Sequence, residues 1–221
     1  MFDLRRNEEA KLELETAAKV DPRNTAVLYL LAVAEKQLDQ PARSAELLER
    51  VIALEPGNAD AQFLLGQVLA KLGRESDAIV RWKKTVQLNT DHAEALYSLV
   101  RHLNKAEPEE ARKYQARFAE LQTRKRITER ADTLGNFALA AAGARDWNQA
   151  VAQLEEAVEV CGNCRSKADL HKNLGLIYCR SGNLEKGERE LRTAQNLKAS
   201  DPDITKSLRI IDELKTRKRQ P

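Results

Sequence analysis

Cys161 and Cys164 frame a Gly-Asn dipeptide, and His171 and Cys179 follow shortly after them. The C-x-x-C spacing opens a redox or metal reading, and the two later residues complete a four-ligand set. Helix geometry argues against a shared ion. His171 and Cys179 fall on one expected helix, eight residues apart, which is about 12 Å of axial rise at 1.5 Å per residue. Zinc–ligand bonds are only about 2.0–2.3 Å long, so one ion does not reach both. A haem attachment needs histidine directly after the second cysteine, and Arg165 stands there. A local Cys161–Cys164 disulfide suits an oxidising compartment, but the expectation is two free thiols.

No other grouping points to catalysis. His92, His102 and His171 are spread over distant segments, and His171 falls in a column otherwise held by apolar residues, where a satisfied packing role is expected. No Gly-rich phosphate loop is present. The runs Arg124-Lys125-Arg126 and Arg217-Lys218-Arg219 have the charge to touch nucleic acid or an acidic membrane. Neither is accompanied by an aromatic stacking platform, so a solvated helix surface and a basic tail are expected. The 37 basic and 34 acidic residues are interspersed and leave a net charge of only +3, unlike a nucleic-acid footprint. The expectation is therefore no enzyme, no cofactor, no metal and no nucleic-acid partner. No run of about 18 apolar residues encodes a membrane span. The start, MFDLRRNEEAKLELE, has no apolar signal core, so the chain as written is expected to be cytoplasmic.

The elements that would carry any surface are helices. Ala, Leu, Glu, Lys and Arg dominate, with 9 Gly and 6 Pro at regular spacings. A fixed period runs through the first half. Pro22 and Pro56 are 34 residues apart, and Thr90 holds the next place. Tyr29, Phe63 and Tyr97 repeat at the same 34, as do Leu31, Leu65 and Leu99, and Ala32, Gly66 and Val100. Each period reads as two amphipathic helices. Phe63, Leu64, Leu65, Val68, Leu69 and Leu72 have helical spacing, Gly73 stops the run, and Ala78, Ile79, Trp82, Val86 and Leu88 form a second face. Such an αα-hairpin cannot bury its apolar face alone, so neighbours must stack.

The later copies stretch. Leu99, Phe137 and Leu174 continue one column at spacings of 38 and 37. The extra residues lie in LQTRKRITER, 121–130, and VCGNCRSK, 160–167. The first has no Gly or Pro and reads as an extension of the third copy's second helix, running with a bend into the next. The second, with Gly162 and Asn163, reads as a loop.

These columns resemble the tetratricopeptide repeat over residues 7 to about 200. The small residues at its helix crossing are matched by Ala32, Gly66, Ala138 and Gly175, and those on the facing helix by Ala10, Ala78, Ala111, Ala150 and Gly187. Large apolar residues follow at Leu14, Leu48, Trp82, Leu154 and Leu191, and further small ones at Ala17, Ala157 and Ala194. The third copy departs most, with Val100, Gln115 and Phe118. The resemblance implies an all-α fold, a right-handed α-α superhelix or solenoid of antiparallel helical hairpins. Its expected boundaries form a single array: a half repeat at 7–22, repeats at about 25–58, 59–92, 93–130, 131–167 and 168–200, and a capping helix at about 202–216. Asp201-Pro202 reads as that helix's start, an N-cap carboxylate followed by proline.

In this family the first helix of each pair lines the concave face. Carried over, the resemblance implies a groove holding Tyr29, Phe63, Tyr97 and Arg101 towards one end and Asn136, Lys172 and Asn173 towards the other, with Leu30, Leu64 and Leu139 on the same face. Aromatics give contact area at low entropic cost, and equivalent amides at Asn136 and Asn173 suit a peptide backbone. The family's chaperone clamp is not expected, because only Lys172 and Asn173 match it while Tyr29, Val33, Leu64, Glu94 and Ser98 fill its other places. The resemblance thus implies a scaffold binding a protein or peptide segment. The alternative is a regulatory or substrate-docking region of a larger, enzymatic protein.

Overall fold

The computed structural model describes residues 2–198 and 200–218, with side chains described over 6–198 and 200–216. The run Arg217-Lys218-Arg219 therefore lies outside the described side chains. The described residues form α1 (Phe2–Val20), α2 (Thr25–Gln37), α3 (Pro41–Leu54), α4 (Ala59–Lys71), α5 (Glu75–Leu88), α6 (Ala93–Leu103), α7 (Pro108–Gly143), α8 (Trp147–Cys161), α9 (Lys167–Arg180), α10 (Leu184–Leu197) and α11 (Pro202–Lys218). The fold is all-α, with successive helices packed as antiparallel pairs. Among the described residues no helix is long and apolar enough to cross a membrane. Two compact units, Met1–Leu121 and Gln122–Pro221, divide within α7.

Local chemistry sets the helix ends. Asn24 accepts from the Val27 amide at 3.1 Å and Asn58 from that of Ala61 at 2.9 Å. His92 takes the equivalent place in the next copy, its Nδ1 accepting from the Ala95 amide at 3.3 Å. Each side chain satisfies an amide that the first helical turn leaves without a partner. Between paired helices the chain turns through the left-handed region at Gly73 (φ 77°) and Gly182 (φ 90°), and at Asp39 (φ 61°) and Arg145 (φ 62°). Most of the helices are 11–15 residues long, marginal lengths in isolation, so packing must supply their stability.

In unit 1 that packing joins Leu28, Leu31, Leu48, Val51, Leu65, Val68, Trp82, Leu96, Leu99 and Leu103. In unit 2 it joins Ala138, Ala150, Leu154, Ala157, Leu170, Leu174, Ile177 and Tyr178. A further cluster, Leu191, Ala194, Ile204, Leu208 and Ile211, docks α11 on α10. Leu208 and Arg209 lie 34 residues after Leu174 and Gly175. Arg209 thus stands where α2, α4, α7 and α9 carry Ala32, Gly66, Ala138 and Gly175, and its bulk would overpack a facing helix.

Three outcomes differ from the sequence reading or sharpen it. Residues 121–130 are helical throughout, so α7 is one 36-residue helix. Phe137, expected in the column of Leu31, Leu65, Leu99 and Leu174, is 59% exposed whereas those four are at most 4% exposed. Cys161 and Cys164 are bonded as a disulfide, not free thiols. The reason is the turn after α8: Gly162 adopts φ 54°, the Cys164 amide donates to the Cys161 carbonyl at 2.8 Å, and the two Cα atoms come within 4.9 Å. Cys179 is a half-buried free thiol whose pKa is pushed up by burial. Among the described residues no group of three or more His, Cys, Asp or Glu is arranged to hold a metal ion.

Candidate functional site

In unit 1, Tyr29, Phe63 and Tyr97 occupy equivalent turns of α2, α4 and α6. Tyr29 is half-buried and lines a cavity of about 300 Å³ with Thr25, Ala26, Glu55, Asn58 and Asp60. Burial, then the Asp60 carboxylate, pushes its phenol pKa up, so the hydroxyl stays a hydrogen-bond donor. Thr25 and Asn58 donate to Glu55 at 2.5 and 3.1 Å and hold that carboxyl ionised below its ordinary range. The Phe63 ring lies 4.5 Å from that of His92, so the residue that caps α6 also braces the aromatic on α4. Tyr97 is 55% exposed and its ring lies 6.0 Å from Phe118. Both separations suit tilted aromatic pairs. Arg101 is exposed one turn further along α6, and Leu30, directly after Tyr29 on α2, is exposed too, whereas Leu64, in the column of Leu30, is buried.

Charge follows the helix ends. Asp60 and Glu94 lie in the first turns of α4 and α6, and Lys36, Lys71 and Arg101 in the last turns of α2, α4 and α6. Each complements the helix dipole. Lys36 donates to Gln67 at 2.5 Å, and burial followed by the nearby Lys71 lowers its pKa.

In unit 2, Asn136 on α7 and Asn173 on α9 line one cavity of about 350 Å³ together with Asp132, Gly135, Leu139, Ser166, Asp169 and Leu170. Gly135 keeps α7 close to α9, since a β-carbon there would lie 3.1 Å from a Leu170 methyl. The cavity therefore combines two amides, two carboxylates and a hydroxyl around an exposed leucine. Such a lining can pair with a peptide backbone and with a cationic side chain.

Lys172 is not among the lining residues. Its ammonium lies 3.0 Å from Asp201 and 3.5 Å from Asp169. The Asp201 bond is the main cause of a raised Lys172 pKa, and Lys172 in turn holds Asp201 below its usual range. His171 is buried, with Nδ1 2.6 Å from Glu190. Tyr178 donates to Glu155, and burial and that bond push its phenol pKa up.

The structure thus brings Asn136 and Asn173 together and seats Tyr29 in a separate cavity. Sequence reasoning missed Asp132, Asp169 and Ser166. The acids were legible in register, because Asp60, Glu94, Asp132 and Asp169 hold the same place in successive first helices. Ser166 was not, because it comes from the stretched loop.

A family model for the tetratricopeptide repeat matches residues 34–87 and 136–203. No curated protein matches the chain. Among solved structures, that of YrrB, a TPR protein with an unusual peptide-binding site, is 18% identical, covering 88% of this chain and 96% of its own, with a TM-score of 0.47. The crystal structure of MamA is 16% identical, covering 86% of this chain and 87% of its own, with a TM-score of 0.43. That of a Thermobaculum terrenum O-GlcNAc transferase mutant is 22% identical, covering 54% of this chain and 24% of its own, with a TM-score of 0.47.

Proposed function

We propose that this chain, which belongs to the tetratricopeptide repeat family, is an interaction scaffold that holds an extended segment of another protein against its first helices. Repeats of this family generally mediate protein–protein interactions. The observation that carries the finer reading is the cavity in which Asn136 and Asn173 meet beside exposed Leu139. Equivalent amides on neighbouring first helices offer donors and acceptors to a bound backbone, while the leucine supplies apolar contact. Tyr29, Phe63, Tyr97 and Arg101 give unit 1 a second, aromatic contact surface. In unit 2, Lys172 ties α9 to the start of α11 through Asp201.

A peptide array probed with the chain tests the amide pair. A peptide that binds the chain and contacts unit 2 should bind Asn136→Ala/Asn173→Ala about tenfold more weakly, the effect of losing one to two net hydrogen bonds. Unchanged affinity in the folded double variant would remove the amides from the reading.

A further inference from the structure

Helices α2, α4, α6 and α11 begin on a side-chain cap, and α9 does not. Asn24, Asn58 and His92 precede α2, α4 and α6 with extended backbone, ψ 101°, 97° and 93°, and each side chain accepts from a first-turn amide. Asp201 accepts from Ile204 of α11 at 3.3 Å. Ser166, before α9, has ψ 0° and makes no such bond. A capping side chain reaches its amide from extended backbone, so the turn at Ser166 withholds it.

The entry to α9 is held covalently instead. Cys161, the last residue of α8, is bonded to Cys164, two residues before Ser166. The Cys164 amide donates to the Cys161 carbonyl at 2.8 Å, and the Lys167 amide to the Cys164 carbonyl at 3.2 Å. Further along, Leu170 is buried in the unit 2 core and anchors α9 without the loop. The bond joins residues only three apart, so it constrains the unfolded chain little and is a poor staple for the whole fold. Its effect is local. Ser166 and Asp169 lie between the bond and Leu170, and both line the cavity with Asn136 and Asn173.

We infer that the Cys161–Cys164 disulfide is a redox switch on the unit 2 cavity. Bonded, it holds Ser166 and Asp169 in the wall; reduced, it releases residues 162–169 while α8 and α9 stay packed. The binding role of that wall rests on the function proposed for Asn136 and Asn173, and its release does not. The reductant is a dithiol. Its thiolate attacks Cys164 Sγ, because Cys164 is half-buried whereas Cys161 is only 3% exposed. The S–S bond breaks, a mixed disulfide forms at Cys164, and Cys161 leaves as a thiolate that takes up a proton. The second sulfur of the dithiol then displaces Cys164, which is protonated in turn. Two electrons and two protons pass to the pair, and the dithiol becomes a disulfide. Exchange with another disulfide runs these steps backwards. Cys179, in the last turn of α9, takes no part.

Hydrogen exchange read by mass spectrometry on the full chain tests this. The chain is compared oxidised, after reduction with dithiothreitol, and as Cys161→Ala/Cys164→Ala, with circular dichroism confirming the fold. Segments covering 162–170 should exchange at least about tenfold faster in the reduced chain and in the variant, as local opening requires, with the start of α11 unchanged. An array-selected peptide whose binding needs Asn136 and Asn173 should bind the oxidised chain about tenfold more tightly than the reduced one. Equal exchange of 162–170 in the oxidised and reduced chains would overturn the inference, as would equal affinity for such a peptide. If no peptide depends on Asn136 and Asn173, the proposed function falls instead, and the exchange comparison still decides the switch.

Discussion

Gly175 and Gly187 each occupy the space that the other's β-carbon would need. A Cβ built on Gly175 would stand 2.9 Å from the Gly187 carbonyl oxygen, and one on Gly187 would stand 2.9 Å from that of Gly175. Backbone stands in the way on both sides, beside Leu191 Cγ at 2.8 Å from the first and Cys179 Sγ at 2.4 Å from the second, so side-chain rotation alone does not relieve it. Gly175→Leu should destabilise unit 2 by about 1–3 kcal/mol through overpacking, read as a lower urea midpoint. An unchanged midpoint would contradict the register assigned to α9 and α10.

The crossing of α4 and α5 makes a contrasting prediction. A β-carbon on Gly66 would lie 2.4 Å from Trp82 Nε1 and 2.6 Å from Trp82 Cδ1, so here the obstacle is a side chain. Gly66→Ala should cost about 1–3 kcal/mol. Trp82→Leu alone should cost a similar order through the space it leaves. The double variant should cost less than the sum, because removing the indole makes room for the methyl group. Strict additivity in a double-mutant cycle would show that the two do not share this contact.

Asp201 predicts a pH dependence whose sign follows from its partners. It accepts from Lys172 at 3.0 Å and from the Asp203 and Ile204 amides at 3.0 and 3.3 Å. These bonds, Lys172 first, hold its pKa below the ordinary 3.8. A depressed carboxyl contributes stability above its unfolded value and loses it as pH falls through the folded one. Lys172 is raised above 10.5, so its contribution is lost only as pH rises beyond that value. The melting temperature of the wild type should exceed that of Asp201→Asn by a constant margin near neutrality, and the margin should shrink below about pH 4 and, at the alkaline end, only above about pH 10.5. A margin independent of pH would show that the ion pair adds nothing.

The disulfide predicts a thiol count. Unfolded without reductant, the chain should titrate one thiol, that of Cys179, and three after reduction. Closing so short a loop restricts the unfolded chain little, so reduction should lower stability by at most about 2 kcal/mol. Three thiols before reduction would contradict the bonded pair.

Periodicity made most of the fold legible, because close helix crossings demand small residues at fixed intervals. Ala32, Gly66, Ala138 and Gly175 announce the crossings, and Asp201-Pro202 announces α11. Phe137 misled for an instructive reason. Its column is buried in the other first helices, but Phe137 sits on a helix that runs from Pro108 to Gly143 and is exposed there, which a sequence column does not reveal. The cysteine pair misled because its bonding depends on the backbone turn at Gly162 more than on composition. The groove residues were placed by register alone. Register did not show that Lys172 is occupied by Asp201, a partner 29 residues away, or that Ser166 joins Asn136 and Asn173 at one cavity.

The central claim is that the first helices hold a protein segment, and Tyr29, Phe63 and Tyr97 offer its sharpest test. Calorimetric titration of an array-selected peptide into the wild type and into Tyr29→Ala/Phe63→Ala/Tyr97→Ala compares the two directly, with circular dichroism confirming that the variant is folded. The account predicts a loss of at least about 2 kcal/mol, roughly thirtyfold in Kd, as expected for removal of aromatic anchors. Undiminished binding by the folded triple variant would contradict an aromatic groove on these helices.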